Sequence, residues 1–397
     1  MRLSSLIPFL AVAAAAPSEK RLAPINTGYG NIMPDHYIVK LFDGSAVRGA
    51  SSAMALLDEE PSHVYERVMR GFAAKISPET LEKLRAHSDV EYIDHDGWGE
   101  AAVEPGWNET QPVSLGEAVD KKTQADAPWG LGRISAKSPG AKDYVYDSSA
   151  GEGTCSYILD SGVDTKHEDF EGRASVGKTF VGSAGDRLGH GTHCAGSVGG
   201  KISGVAKKTK IIDVKIISDN NSVQWAHLIS AMEFVVGDST SCPKGKFVNL
   251  SIQGGPNKSA NDACTKASKD GVFVGTAAGN ASKDAAQSSP GSADEVCNTG
   301  ATDDKDAKAS FSNFGAKLAI WGPGVGIMSC KPGGGMTGMS GTSMAAPHIV
   351  GLAATLASKD GGKGFELCKK IVSMAHQGLV KNPGGGSPNV LAYNGMA

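Results

Sequence analysis

Apolar and polar positions alternate along His36-Tyr37-Ile38-Val39-Lys40-Leu41 and again along Gly71 to Ile76, the two-residue period of a strand. Helical stretches are expected between and after these strands. The second opens at Ser77-Pro78-Glu79, where Ser77 caps and Pro78 fits the first turn. Val90-Glu91-Tyr92-Ile93 closes a small α/β unit over about 35–96. Farther along, the apolar runs become nearly continuous: Ser156 to Asp160, Ile211 to Ile217, Phe247 to Ile252 and Val272 to Thr276. Helical patterns at His193 to Val198, Gln224 to Val236 and Ala260 to Asp270 separate them. Strands apolar on both faces, alternating with helices, predict an α/β domain: a mostly parallel sheet with helices on both faces.

The ends and the charge refine this picture. Arg2 precedes the apolar run Leu6 to Val12, and Ala13 to Ala16 offer a small-residue cleavage site, so 1–16 reads as an export signal. That run is too short to span a bilayer, as is every later one. A secreted, extracellular protein is expected, in a compartment where cysteines pair. A net charge of -3 argues against a nucleic-acid or anionic-membrane partner. From Ala86 to Asp120 there is no Lys or Arg, while Asp and Glu recur up to Lys121-Lys122. We read this as an acidic linker with a processing site near Lys121-Lys122, a solvated hinge being the alternative. The chain then divides into 1–16, 17–121 and 122–397.

Three stretches carry chemistry. Asp160-Ser161-Gly162 ends a parallel strand, the edge where open α/β folds place their sites. Gly189-His190-Gly191-Thr192-His193 starts a buried helix about thirty residues on. Ser343, in Gly338-Met339-Ser340-Gly341-Thr342-Ser343-Met344-Ala345-Ala346-Pro347-His348, sits where a Gly-rich loop hands over to an apolar helix. A serine there is an ordinary N-cap by itself. With an Asp and a His at other element ends, it is the nucleophile of a triad. A near-neutral imidazole takes the hydroxyl proton, and a carboxylate holds its tautomer and stabilises the imidazolium. Either His190 or His193 fits that role on pattern alone.

The order Asp-Ser-Gly, His-Gly-Thr-His, Gly-Thr-Ser-Met-Ala-x-Pro resembles the subtilisin-like serine proteases. Ala127 to Leu131, Gly204 to Ala206, Ala277 to Asn280, Ser310 to Asn313 and Leu391 to Asn394 are similar to its fungal proteinase K branch. The resemblance implies a serine endopeptidase acting on protein or peptide substrates through an acyl-enzyme. Its catalytic residues are Asp160, His190 and Ser343, and Asn280 is the side-chain oxyanion donor. It also implies a monomer that requires no cofactor, preceded by a propeptide (17–121) that acts as an intramolecular inhibitor.

In this family the substrate adds a strand between two groove edges. The matching positions are Asn221, Val223, Leu250, Ser251, Gln253 and Gly254, with Ala277 and Gly279 nearby. The family's Gly-rich edges are replaced here, which implies a narrower groove that still favours apolar or aromatic side chains at the cleaved residue. The same departures admit a second reading, a catalytically weak homologue retained as a binding or surface protein. Cys155–Cys242 and Cys297–Cys368 are the disulfides implied, with Cys194 a free thiol beneath the histidine segment. Cys264 and Cys330 are left either paired with each other or free. Ala319 stands where relatives carry a calcium-binding Asp, and His376 to Val380 lacks the carboxylate of their weaker site, so calcium is not expected to matter there. Asn220 and Asn257 are the favoured sugar acceptors. Of the N-terminal histidines, His36, His63, His87 and His95, the last two lie among carboxylates and are expected to make inhibitor release pH-dependent.

Overall fold

A computed structural model describes residues 21–28, 31–47, 51–104 and 122–396. The expected leader of 1–16, the expected linker beyond residue 104 and Lys121 lie outside the described residues. The large domain is built on a nine-stranded sheet. Its strand order is 376–377, 390–391, 320–323, 297–302, 273–277, 246–250, 155–160, 210–215, 174–179, and every pairing but the first is parallel. Central strands such as Cys155–Asp160 and Phe273–Ala277 are buried at every residue, because helices cover both faces. One face carries His190–Gly199 and Thr342–Asp360, and the other carries Trp225–Gly237 and Lys258–Lys269. Among the described residues no helix is long and apolar enough to cross a membrane.

The small N-terminal domain adds a second sheet, in the order 25–26, 90–101, 32–41, 71–75, 63–65. In Ile32–Leu41 the side chains divide by face. Val39 and Leu41 pack with Leu81 and Leu84 of the helix Pro78–Arg85, while Ile38 joins the core built around Trp225–Gly237. The sheet is thus sandwiched between its own helix and the large domain. Ser77 caps that helix by accepting from Thr80 N–H, and Pro78 occupies its first turn.

The helix expected between the first two strands is absent among the described residues. One 3-10 turn, Met54–Leu56, and a short strand, His63–Tyr65, occupy that stretch. Tertiary packing decides it: Tyr65 is fully buried and donates its hydroxyl to the Ala226 carbonyl (3.2 Å), while His63 bonds to Ser230 (2.9 Å). The strand at Val90 is also longer than expected and runs to Ala101.

Cys155–Cys242 and Cys297–Cys368 are disulfide-bonded, and Cys194 is a buried free thiol. The optional Cys264–Cys330 pair is not formed. Cys264 lies in the core around Trp225–Gly237, and Cys330 lies in the other core against Asp169.

Candidate active site

Asp160 is the last residue of a central strand and is fully buried. Its Oδ1 accepts from the Ser161 N–H (2.7 Å) and from Nδ1–H of His190 (2.7 Å). His190 opens its helix behind Gly189, which has φ 85°. Asp186 fixes this corner, accepting from Leu188 N, Gly189 N, Thr192 N and Thr192 Oγ1 at 2.7–3.1 Å and from the Ser161 hydroxyl (2.9 Å). The sequence reading passed over Asp186. A carboxylate just before a helix start was the available signal.

The two histidines have different fates. Burial opposes charge on His190, but the Asp160 carboxylate outweighs it and holds the imidazole well above its ordinary range. His193 hydrogen-bonds through Nε2 to the Ile327 carbonyl (2.8 Å), and burial lowers it to about 3. It is therefore a neutral core residue, and only His190 faces a carboxylate. The Cys194 sulfur lies 4.0 Å from both ring nitrogens of His190, and burial keeps this thiol protonated.

Gly341 is the N-cap of the helix Thr342–Asp360, so Ser343 is its second residue rather than its cap. The Ser343 N–H is one of the donors a helix start leaves without an internal partner. Pro347 lacks an N–H, which leaves the Ser343 carbonyl free to accept from the Ser251 hydroxyl (2.8 Å) and the Cys194 thiol (3.6 Å). The Ser343 hydroxyl donates to the Ser251 carbonyl (2.9 Å) and not to His190. Asn280 Oδ1 is held by Thr342 N–H (3.0 Å) and the Thr342 hydroxyl (2.7 Å). Its Nδ2 is buried without a partner and aims at the same corner.

That corner is filled by the chain's own N-terminal region. Past its sheet partner, the strand Val90–Ala101 lies between Val223–Gln224 and Ile252–Gly254, antiparallel to both. Ala101 N–H donates to Asn221 Oδ1 (3.0 Å), and Ala102 N–H donates to the Ser251 carbonyl (3.1 Å). The Ala102 carbonyl accepts from Ser343 N–H (3.1 Å), and Glu104 N–H donates to the Ser340 carbonyl (2.8 Å). Any Cβ on Gly341 would fall 3.0 Å from Val103 Cα, 3.2 Å from Asn280 Nδ2 and closer still to the Ala102 oxygen. Only glycine permits this approach.

The remaining expected groove residues take these places. Leu250 is buried in the sheet, and Ala277 packs with Ala102 and Ala346. Gly279 N–H donates to the Thr342 hydroxyl (3.0 Å). Gln253 bridges two sides, accepting from Asn280 N–H (2.6 Å) and donating to Glu100 (3.1 Å). Asn220 is exposed, but Asn257 does not suit a sugar. It is 5% exposed, caps Lys258–Lys269 through Ala260 N–H (2.9 Å), and donates to the His95 carbonyl (3.2 Å).

Comparison with known proteins accords with this geometry. A model of the subtilase family matches residues 151–378, and one of the peptidase inhibitor I9 family matches 36–98. The chain is 43% identical to proteinase R of Parengyodontium album, with 99% of each chain covered. It is 39% identical to a cuticle-degrading protease of Metarhizium anisopliae over the full length of both. A solved cold-adapted subtilisin-like serine proteinase superposes with a TM-score of 0.64 at 33% identity, covering 68% of this chain and 99% of that one.

Proposed function

This chain belongs to the subtilase family and is a serine-type endopeptidase with an inhibitor domain of its own, and we propose that Asp160, His190 and Ser343 are its catalytic residues. The observation that carries the assignment is a peptide carbonyl, that of Ala102, seated on the Ser343 amide beside the free Nδ2 of Asn280. In the reaction the Ser343 hydroxyl turns from the Ser251 carbonyl to His190, gives up its proton there and attacks the substrate carbonyl. Asp160 keeps the His190 Nδ1–H in place and stabilises the imidazolium. Ser343 N–H and Asn280 Nδ2 receive the oxyanion. His190 then protonates the leaving amine, and water releases the acyl group by the same route.

Substrates are proteins or peptides that add a strand between Asn221–Val223 and Ser251–Gly254, as 98–101 does in the precursor. Ala277 and Gly279 complete the wall near the cleaved residue. The domain plan is a leader of 1–16, an inhibitory precursor segment of 17–121, and a catalytic domain of 122–397 that is secreted and acts as a monomer. The two disulfides support an oxidising, extracellular setting.

Subtilases need no cofactor for catalysis, and the residues around Ala319 do not fit a tight calcium. Ala319 offers no carboxylate, and two residues earlier Lys317 places an ammonium on Asp294 (2.8 Å). The reading of the chain as an inactive binding protein finds no support in a site whose donors and base are all present.

Cleavage of a peptide library by the processed protein tests the assignment, with Ser343→Ala processed in trans as control. Wild type should cut, and both Ser343→Ala and His190→Ala should lose turnover by comparable factors. Full turnover in His190→Ala with none in His193→Ala would contradict it.

A further inference from the structure

The strand in the groove shows where this enzyme is selective. Gly99 lies between two partners at once, paired with Val223 on one side and Gly254 on the other. Trp225, the first residue of its helix, lays its indole beneath both glycines and is 3% exposed. A Cβ at Gly99 would stand 2.9 Å from Trp225 Cη2, 3.3 Å from Cζ2 and 2.8 Å from the Gln253 carbonyl oxygen. A Cβ at Gly254 would stand 2.8 Å from Trp225 Cη2. Both neighbours at Gly99, a buried ring and a backbone carbonyl fixed by strand pairing, are held in place, so neither yields easily.

The register is fixed on both sides of one bond. Before it, Ala102 N–H and the Ser343 hydroxyl share the Ser251 carbonyl, and the Ala102 oxygen sits on Ser343 N–H. After it, Glu104 N–H is bound to Ser340. The chain therefore crosses the nucleophile as an uncut substrate, with Gly99 fourth before the Ala102–Val103 bond.

We propose that Trp225 closes the groove opposite the fourth residue before the broken bond, so that the protease requires glycine there, and that Ala102–Val103 is the bond it breaks to free itself. The inference rests on Ser343 being the nucleophile. The Ser343 oxygen bonds to the Ala102 carbonyl carbon as its proton passes to His190. The Ala102–Val103 C–N bond then breaks, and that proton leaves on the Val103 amine. Water, deprotonated by His190, cleaves the ester, restoring Ser343 and leaving an Ala102 carboxylate. The segment from Val103 to Lys121 remains on the catalytic domain until a second cut near Lys121-Lys122.

The test uses the full-length chain, with intact mass and N-terminal sequencing at the earliest times after synthesis. A new N-terminus at Val103 is expected in wild type and none in Ser343→Ala. Gly99→Val should process roughly tenfold slower or worse, the penalty of overpacking, and adding Trp225→Ala should restore it. Because Trp225→Ala could misfold, a second arm uses processed wild type with two peptides, Trp-Gly-Glu-Ala-Ala-Val-Glu and the same with Leu in place of Gly. The glycine peptide should be cut about tenfold faster or more. A first N-terminus at another bond, or equal cutting of the two peptides, would overturn the proposal. Fluorophosphonate labelling of the same samples separates the cases: a labelled Ser343 with the wrong bond sinks only this inference, and an unlabelled one sinks the catalytic assignment.

Discussion

Asn280 presents its amide in one orientation because Thr342 occupies the oxygen end with both its N–H and its hydroxyl. The donor is therefore aimed before any substrate arrives, which is where such groups gain their value. Asn280→Ala should lower turnover about 10²- to 10³-fold, with little change in KM or in melting temperature. A change confined to KM would mean that Asn280 binds substrate without acting on the transition state. As the proposed base, His190 should set the pH dependence. Its carboxylate partner holds it above the ordinary 6.5 of an imidazole, and a general base must be neutral to act. Activity of the processed enzyme should therefore fall as pH drops through a value above about 6.5. An ascending limb at or below that value would contradict the Asp160–His190 coupling. At Gln253, which donates to Glu100, replacement by Gly should erase preference for an acidic residue third before the cut. An unchanged profile would remove Gln253 from the account.

Among elements, the helix Trp225–Gly237 packs against both strands His63–Tyr65 and Val90–Ala101 of the N-terminal domain, and titrating groups of opposite effect meet there. His63 bonds to Ser230 and meets His227 edge-on at 5.4 Å. Burial lowers His63, and burial followed by the field of His63 lowers His227 to about 4. Below pH 6.5 the separated domains bind protons that the complex resists, so these groups weaken the complex as pH falls toward their lowered values. Asp96, at the start of the same helix with His36 nearby, works the other way. Burial raises it to about 6 despite N–H bonds from Gly97 and Ala226, and burial raises Asp94 too. The complex gains affinity there as pH falls through about 6 toward the ordinary carboxylate range. In Asp96→Asn the histidine pair is less opposed, and the cleaved inhibitor should leave faster at pH 5 than at pH 7.5; adding His63→Gln should reduce the difference. Equal off-rates in Asp96→Asn would exclude the pair.

Element by element, the chain discloses burial well and main-chain binding poorly. The central strands were readable because both faces are apolar, and the helix at Pro78 because its cap and proline are local. His63–Tyr65 was not, since its conformation depends on a helix more than 150 residues away. Residues 97–104 read as part of an acidic linker because a strand held by backbone hydrogen bonds leaves little trace in side chains. His63 was passed over for His87 and His95 because burial, unlike neighbouring charge, is not visible in sequence.

For the whole molecule, the buried pair Arg133–Asp306 ties the helix Trp129–Ile134 to a loop beyond the central sheet, through two bonds of 2.6 and 3.0 Å. Asp306→Ala leaves a guanidinium that is 2% exposed without its carboxylate, and it should cost about 3–5 kcal/mol in denaturant unfolding of the Ser343→Ala protein. A loss below about 1 kcal/mol would mean the loop relaxes to admit water. In the same inactive background, excess chelator should move the melting midpoint by no more than a few degrees, because a weakly bound ion adds little through RT ln(1 + [L]/Kd). A much larger drop would reveal a tight calcium site elsewhere. The central claim, that Ser343 is an activated nucleophile, is met most directly by reacting the processed protein with a fluorophosphonate and mapping the adduct by mass spectrometry. The account predicts one modified residue, Ser343, with labelling lost in His190→Ala processed in trans and retained in His193→Ala. An unmodified Ser343 in folded, processed protein, or labelling that persists undiminished in His190→Ala, would contradict it.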